Sequence, residues 1–254
     1  MWYDVAVADA STTWTPRERE AVGRFDPSRT VTREILAPIV TLACRGLIQG
    51  VNRLVLHDGH VLKNARKDAK ERSRGILTVS NHVSLFDDPW LMACLAKPRW
   101  KDLRWIPVDA LNFFSTDAKA WFFGAGKGVP IIRGGGIDQP AMRFLAERLQ
   151  AGEWVHVFPE GTRSRSPLEL HRPLKSGTAH LIQAARPLVL PFHHRGMEKV
   201  LPIGSRWPKT GQRVEVRFGD VVDSARGLAD RPLDQITQWV EDRLVELQQR
   251  AERA

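Results

Sequence analysis

Short runs of apolar residues recur along the chain and are bounded by glycine, proline or charged residues. Runs of this length that are rich in valine, isoleucine and leucine predict buried β-strands. The clearest of these runs are residues 75–80, 129–132, 154–158, 188–192 and 214–218.

Outside these runs, apolar residues return every three or four positions, which predicts amphipathic helices. One predicted helix begins near Pro140 and ends at Gly152. A second, close to the C-terminus, has a single apolar stripe made of Leu233, Ile236, Val240, Leu244 and Leu247. The alternation of strands and helices predicts an α/β fold with a mixed, mostly parallel sheet flanked by helices.

The N-terminal region departs from this alternation. We expect residues 1–30 to be a polar segment on the surface, residues 31–57 to contain a membrane-interface helix, and residues 58–254 to form the main domain. The apolar stretch 35–44 is about half the length needed to cross a bilayer, and arginines interrupt its continuation. It predicts a helix that lies in the interface rather than one that spans the membrane. The alternative is an ordinary core helix packed on the sheet.

The charge of the chain narrows the classes of partner. The formal net charge is +9 and the isoelectric point is about 10.1, which suits either anionic lipid headgroups or nucleic acid. No nucleic-acid-binding motif accompanies the charge, so lipid is favoured and nucleic acid is not expected. Two cysteines are too few for a disulfide framework.

The most informative candidate chemistry is His82 followed five positions later by Asp87. Residues that share a helix face lie three or four apart, so this pair requires a turn, which is expected between the strand ending at residue 80 and a helix beginning near Pro89. A carboxylate there can keep one imidazole nitrogen protonated and leave the other free to remove a proton from a hydroxyl. The alternative is a capping histidine, with Asp87 or Asp88 as the helix N-cap.

A second turn with polar groups follows the strand 154–158. It presents Glu160, Gly161 and Arg163 together. A carboxylate can accept a hydrogen bond from a substrate hydroxyl, and a guanidinium can bind a phosphate with two parallel hydrogen bonds. Glycine permits a positive φ or a close approach to a ligand.

Arg133 and the three glycines after it end the strand 129–132. A glycine-rich turn beside a guanidinium is a plausible phosphate site. The stretch lacks the lysine–hydroxyl pair of a P-loop and the glycine spacing of a dinucleotide site, so nucleotide binding of those kinds is disfavoured.

Taken together, these motifs resemble the glycerolipid (1-acylglycerol-3-phosphate type) acyltransferase superfamily. His82-x-x-x-x-Asp87 and Phe158-Pro-Glu-Gly161 carry the general resemblance. Four blocks in order, residues 81–89, 126–134, 152–161 and 190–202, make the chain similar to the tafazzin branch. Thr162-Arg163-Ser164 resembles the general lysophosphatidate acyltransferases instead.

The resemblance implies that His82 is the general base and that Asp87 orients it. It also implies a substrate-binding set made of Arg133, Glu160, Gly161, Thr162 and Arg163, with Ser84 as a possible oxyanion or substrate contact. No metal and no cofactor are implied, because the acyl donor is itself a substrate, either a phospholipid or acyl-CoA. The neighbours His193 and His194 would point to opposite faces of a strand, one structural and the other facing the cleft or solvent.

The function implied is transfer of a fatty acyl group to the free hydroxyl of a lysophospholipid, in phospholipid remodelling. The nearer alternative is a 1-acylglycerol-3-phosphate acyltransferase that uses acyl-CoA or acyl-carrier protein. The farther one is a non-catalytic protein that binds lipid or nucleic acid by charge. We expect a membrane-associated protein, on the cytoplasmic face of the inner membrane if the host is bacterial, and its oligomeric state is open.

Overall fold

The computed structural model describes residues 13–28 and 30–253, which form a mixed sheet covered by helices. The strands are β1 (Arg53–His57), β2 (Ile76–Ser80), β3 (Ile106–Asp109), β4 (Gly128–Ile131), β5 (Trp154–Val157), β6 (Leu188–Arg195), β7 (Arg213–Phe218) and β8 (Val222–Asp223). The α-helices are α1 (Pro16–Gly23), α2 (Val31–Arg45), α3 (His60–Glu71), α4 (Ala93–Leu95), α5 (Ala110–Phe113), α6 (Asp117–Ala125), α7 (Pro140–Gln150), α8 (Gly177–Ala185), α9 (Met197–Val200) and α10 (Leu233–Glu252). A π-helical turn, Gly46–Gly50, continues α2, another, Asp87–Met92, precedes α4, and Trp100–Asp102 is a short 3₁₀ helix.

The main sheet has the order β1-β7-β6-β2-β5, with β8 on β6. Strand β2 pairs in parallel with both β5 and β6, whereas β7 and β8 run antiparallel to β6. A parallel pair, β3 and β4, continues this sheet through a bridge between Trp105 and Val155. The expected α/β fold with a mixed, mostly parallel sheet is confirmed, and the carboxyl ends of β2, β5, β3 and β4 share one edge.

Burial explains why the central strands were recognisable. All five residues of β2 and all four of β5 are buried, so both were visible as continuous apolar runs. The sequence did not reveal β1, whose residues are only partly buried, or β3, which is four residues long and follows an aromatic segment. Strand β6 extends three residues beyond its predicted end and thereby carries His193 and His194.

Helix α2 turns its apolar side outward. Its exposed large residues are Val31, Ile35, Ile39 and Leu42, and Leu47 and Val51 extend the row past the helix. The inner side carries the buried residues Arg33, Ala37, Thr41 and Cys44. This row of six exposed residues is called the α2 stripe below. A helix packed in the core has its apolar side turned inward, so the α2 stripe is not a surface packed on the sheet.

Two expectations about the N-terminal region need correction. Residues 53–57 lie inside the expected interfacial region but form β1, which pairs with β7. The segment 13–28 is not merely a surface wrap, because α1 and the residues beside it bury Trp14, Val22 and Phe25 in the core. Among the described residues, no helix combines the length and the hydropathy required to cross a bilayer.

Candidate active site

His82 and Asp87 face each other across the turn that follows β2. The Nδ1 atom of His82 lies 3.0 Å from Oδ2 of Asp87. A carboxylate only accepts hydrogen bonds, so in the neutral imidazole Nδ1 carries the proton and Nε2 keeps the lone pair. The imidazole is 19% exposed and stacks on Phe158, with ring centroids 4.2 Å apart. This arrangement can act as a general base.

Asp87 also shapes the turn. Its Oδ2 accepts from the backbone N–H groups of Val83, at 2.7 Å, and Ser84, at 2.8 Å, and the side chain is fully buried. Burial acts to raise the pKa of Asp87, but the neighbouring His194 and His82 and the Ser84 N–H outweigh it and hold the pKa below its usual range. The carboxylate therefore contacts the imidazole and closes the turn that precedes it. It does not cap the helical turn that follows, whose N-cap position is Phe86 with no side-chain hydrogen bond.

Glu160 lies behind His82 and not in open space. It is fully buried, and its Oε1 accepts from the backbone N–H of His82 at 2.7 Å. Its Oε2 accepts from the hydroxyl of Ser164 and from the backbone N–H of His171. The expected contact with a substrate hydroxyl is not what the structure shows, because protein donors occupy both oxygens.

Ser84 also differs from its expected role. It is fully buried, and its hydroxyl donates to the carbonyl oxygen of Leu201 at 3.3 Å. An inward-facing hydroxyl cannot serve as an exposed oxyanion or substrate contact in this conformation.

The loop after β5 is attached directly to the histidine. The backbone N–H of Ser164 donates to the carbonyl oxygen of His82 at 2.7 Å. Gly161 has φ +65°, and a Cβ there would lie 3.1 Å from the side chain of Lys175, so the glycine serves the turn. Thr162 is half-buried and Arg163 is exposed, and neither has a side-chain hydrogen bond to another described residue.

Arg133 follows β4 at the same edge of the sheet. It is 57% exposed, and its Nε lies 2.8 Å from Oδ2 of Asp109 at the end of β3. Strands β5 and β3 separate β4 from β2, so the strand that precedes Arg133 lies about 14 Å from the strand that precedes His82. The fold places both residues at one edge, but among the described residues no direct contact joins them.

Asn81 and His194 form a clasp that sequence reasoning missed. The Asn81 amide donates to the carbonyl oxygen of His194, and Oδ1 of Asn81 accepts from the His194 backbone N–H, both at 2.9 Å. The His194 Nε2 lies 2.9 Å from the Asn81 carbonyl oxygen and 3.7 Å from Oδ2 of Asp87. The clasp joins the end of β6 to the residue before His82. Both residues lie within the blocks that carried the family resemblance, which was the only available signal.

The expectation that one of the two adjacent histidines faces the cleft or solvent is wrong, because both are buried. His193 is on the opposite face of β6, with Nε2 2.9 Å from the carbonyl oxygen of Pro167. Burial lowers the pKa of His193 to about 4. A third buried histidine, His156, contacts the Thr78 hydroxyl through Nδ1 at 2.9 Å, and burial keeps its pKa well below the usual value.

A buried ion pair connects β3 and β4 with residues 81–93, which carry the candidate catalytic pair His82 and Asp87 and are called the catalytic turn below. The Arg104 Nε donates to Oδ1 of Asp88 at 2.7 Å, its Nη2 contacts the other oxygen, and its Nη1 donates to the Gly126 carbonyl oxygen at 2.9 Å. Arg104 therefore holds three core segments together.

An apolar cavity of about 340 Å³ opens beside this ion pair. Its walls come from four places: Leu36, Ala37, Val40 and Thr41 of α2; Leu85, Phe86, Asp88, Pro89, Met92 and Ala93 of the catalytic turn; Leu103, Arg104, Ile106 and Val108 around β3; and Phe113, Phe122, Phe123, Ala125, Gly126 and Gly128 near α6 and β4. Leu85 and Phe122 line the cavity and are also 45% and 46% exposed, so they mark its mouth. An apolar cavity of this size suits a hydrophobic ligand.

The fold and the site define an α/β protein that displays a histidine–aspartate pair at the carboxyl end of a parallel strand, next to an apolar cavity. The model of the acyltransferase family matches residues 61–195, more than half of the chain. The chain belongs to that family, and the resemblance drawn from the motifs is confirmed.

Sequence comparison with individual proteins is consistent with membership of this family. The chain is 33% identical over 190 residues to N-acylphosphatidylethanolamine synthase of Arabidopsis thaliana, covering 72% of this chain and 66% of that protein. It is 35% identical to tafazzin of Drosophila melanogaster, covering 60% of this chain but only 42% of the relative. The chain thus spans between two fifths and two thirds of these relatives' lengths.

The fold is also found in a solved structure, the 1-acyl-sn-glycerophosphate (LPA) acyltransferase PlsC from Thermotoga maritima. The TM-score is 0.66 at 17% identity, and the match covers 99% of this chain and 88% of the other. At this identity the likeness concerns the fold alone.

The low pKa of His193 predicts a loss of stability in acid. Between about pH 6.5, the usual pKa of histidine, and about pH 4, the unfolded chain binds a proton that the folded protein does not. The free energy of unfolding therefore falls as the pH falls through this window. In wild type the free energy of unfolding should fall between pH 7.5 and 5, and in His193→Gln we expect this fall to be about 2 kcal/mol smaller. Urea denaturation at the two pH values measures it. The exposed His60→Gln should keep the wild-type loss, and equal losses in all three proteins would contradict the assignment.

Proposed function

We propose that the protein is an O-acyltransferase that moves a fatty acyl group onto the free hydroxyl of a lysophospholipid in phospholipid remodelling. The observation that carries the proposal is the position of the apolar cavity. Leu85 and Phe86, which line it, belong to the same turn as His82 and Asp87. A hydrocarbon tail in the cavity would place its acyl carbonyl near the imidazole.

The reaction follows from the orientation of the imidazole. His82 Nε2 takes the proton of the acceptor hydroxyl while the oxygen attacks the acyl carbonyl carbon. Asp87 stabilises the imidazolium that forms, because its buried carboxylate already contacts Nδ1. When the acyl carbon–donor bond breaks, the imidazolium returns the proton to the leaving oxygen or sulfur. The protein supplies a base and needs no covalent intermediate of its own.

Two arginines are proposed to bind the phosphate of the acceptor. Arg163 is exposed, forms no ion pair with a described residue, and lies on the loop that bonds to His82 through Ser164. Arg133 is more distant but fixed in orientation by Asp109. Guanidinium groups bind phosphate by paired hydrogen bonds. Glu160 is assigned a positioning role, since its oxygens hold the backbone on both sides of the site.

Membrane association is proposed from the α2 stripe. A row of apolar side chains exposed on a helix that buries Arg33 and Thr41 fits a bilayer interface better than water. The segment 35–57 contains no acidic residue, and its exposed Arg53 suits anionic headgroups. The other arginine, Arg45, is used by the protein itself, because it donates to the carbonyl oxygens of Ala93 and Ala96. The same helix forms one wall of the cavity through Leu36 and Val40, so a lipid tail can enter from the membrane side.

The acyl donor separates the main proposal from its nearest alternative. A phospholipid donor corresponds to the relatives named tafazzin, while acyl-CoA or acyl-carrier protein with lysophosphatidate corresponds to the motif Thr162-Arg163-Ser164. Parallel assays with labelled donors decide between them. Phosphatidylethanolamine belongs among the acceptors, because one relative is named for an N-acylated form of it.

Removing the base should abolish acyl transfer. We expect His82→Ala to lower kcat on the order of 100-fold or more, with vesicle binding intact. The exposed His60→Ala is the matched control and should retain wild-type rates. Unchanged acyl transfer by His82→Ala would refute the base assignment and favour a non-catalytic binding protein.

Removing the Arg133 guanidinium should weaken acceptor binding more than chemistry. For Arg133→Ala we expect the apparent KM for lysolipid to rise about tenfold, as for loss of a charged hydrogen bond, with a smaller change in kcat. Arg143→Ala, at an exposed arginine of α7, should change neither. An unaltered KM in Arg133→Ala would remove its phosphate role.

Placing charge in the α2 stripe should release the protein from membranes. We expect the double variant Ile39→Glu/Leu42→Glu to remain in the supernatant when vesicles containing anionic phospholipid are sedimented. Leu168→Glu adds a charge at an exposed leucine beside α10 and should still sediment with the vesicles. Retention of the double variant would instead favour a packed surface for this helix.

A further inference from the structure

The loop between α9 and β7, residues 201–212, exposes two large apolar side chains that the fold does not use. Trp207 is 81% exposed and Ile203 is 54% exposed. Single exposed apolar residues are common, but an almost fully exposed tryptophan beside an exposed isoleucine is a more specific arrangement. Trp207 has the largest exposed fraction among the exposed large hydrophobic residues of the described chain.

Hydrogen bonds fix the position of loop 201–212 at both ends. At its start, the Leu201 carbonyl oxygen accepts from the Ser84 hydroxyl of the catalytic turn. At its end, the Gly211 N–H donates to the Val51 carbonyl oxygen at 2.8 Å, and the Gln212 N–H donates to the Asn52 side chain at 2.9 Å. The loop therefore runs from the catalytic turn to the end of the α2 stripe.

The two anchors of loop 201–212 lie next to other exposed apolar residues, one at the end of the α2 stripe and one at the mouth of the cavity. Val51, which anchors the loop, is itself 47% exposed and ends the α2 stripe. Leu85, next to the other anchor, is exposed and stands at the mouth of the cavity. Loop 201–212 thus extends the α2 stripe toward the site of chemistry.

The charges in loop 201–212 indicate which kind of surface it would contact. Arg206 and Lys209 flank Trp207, both are exposed, and neither forms an ion pair with a described residue. The stretch 201–212 contains no aspartate and no glutamate. Tryptophan with adjacent basic residues is typical of the water–lipid boundary, where the ring sits at headgroup level and the cations meet anionic lipid.

We propose that loop 201–212 is a second membrane-contacting element, whose ligand is a bilayer surface containing anionic phospholipid. Trp207 and Ile203 enter the interfacial region, and Arg206 and Lys209 contact the headgroups. Contact through both the loop and the α2 stripe holds the catalytic turn against the leaflet that supplies the lipid. The inference rests on the proposed function only in that the substrates are membrane lipids.

The test compares binding to vesicles of phosphatidylcholine with and without phosphatidylglycerol. We expect Trp207→Ala/Ile203→Ser to raise the apparent Kd about tenfold or more on both kinds of vesicle, since apolar insertion is lost. Leu168→Ala truncates an exposed leucine beside α10, away from the loop, and should bind as wild type. Acyl transfer by the double variant should fall on vesicles and stay at the wild-type rate on detergent-dispersed substrate.

The charge contribution is tested separately. We expect Arg206→Gln/Lys209→Gln to weaken binding about tenfold or more on vesicles with phosphatidylglycerol, and to leave binding to phosphatidylcholine alone unchanged. Equal binding of this variant and wild type to the anionic vesicles would overturn the headgroup role of these two residues.

The outcomes separate this inference from the proposed function. If Trp207→Ala/Ile203→Ser binds vesicles as wild type while Ile39→Glu/Leu42→Glu does not bind, loop 201–212 is not a membrane contact and the function proposed above stands. If wild type is a dimer by size-exclusion chromatography with light scattering, and the loop variant is a monomer with unchanged vesicle binding, a second copy of the chain covers the loop and the inference is also overturned.

Discussion

One carboxylate oxygen, Oδ2 of Asp87, sets the geometry on which the site depends. It is fully buried and accepts hydrogen bonds from two consecutive backbone amides and from the His82 imidazole. A buried carboxylate without such donors would be costly, so the turn must close around it. The contact with Nδ1 also fixes the tautomer of the neutral His82 imidazole, while Oδ1 of the same carboxylate is buried with no hydrogen-bond partner among the described residues. The oxygen that closes the turn is therefore the one that orients His82.

A second buried carboxylate, Glu160, supports the first from the neighbouring strand. It holds the backbone N–H of His82, while Ser164 of the same loop holds the His82 carbonyl oxygen. The two loops are 78 residues apart in sequence and meet because β2 and β5 are adjacent parallel strands. Polar groups that are satisfied by one another in this way resist displacement, which keeps the imidazole oriented.

The proposed lipid chemistry explains why polarity is inverted around α2. Arg33 faces inward and donates to the Asp26 carbonyl oxygen, whereas Ile35 and Ile39 face outward. In water this arrangement would expose apolar area for no gain, but against a bilayer both sides of the helix are satisfied. Because α2 also walls the cavity, the α2 stripe, the cavity and the turn that carries His82 are adjacent in the fold. Arg104, bonded to Asp88 and Gly126, keeps that cavity wall attached to the catalytic turn.

The sequence by itself determined the elements whose cause is local. The buried strands, the helix 140–150 and the pairing of His82 with Asp87 follow from apolar periodicity, turn residues and spacing, and all appear in the structure. Only the tertiary structure decided how polar side chains are used. Glu160 and Ser84 carry the same functional groups whether they face a substrate or the protein, and their donors and acceptors come from distant segments. The clasp of Asn81 with His194 likewise depends on β2 and β6 being neighbours, a pairing that no local pattern specifies.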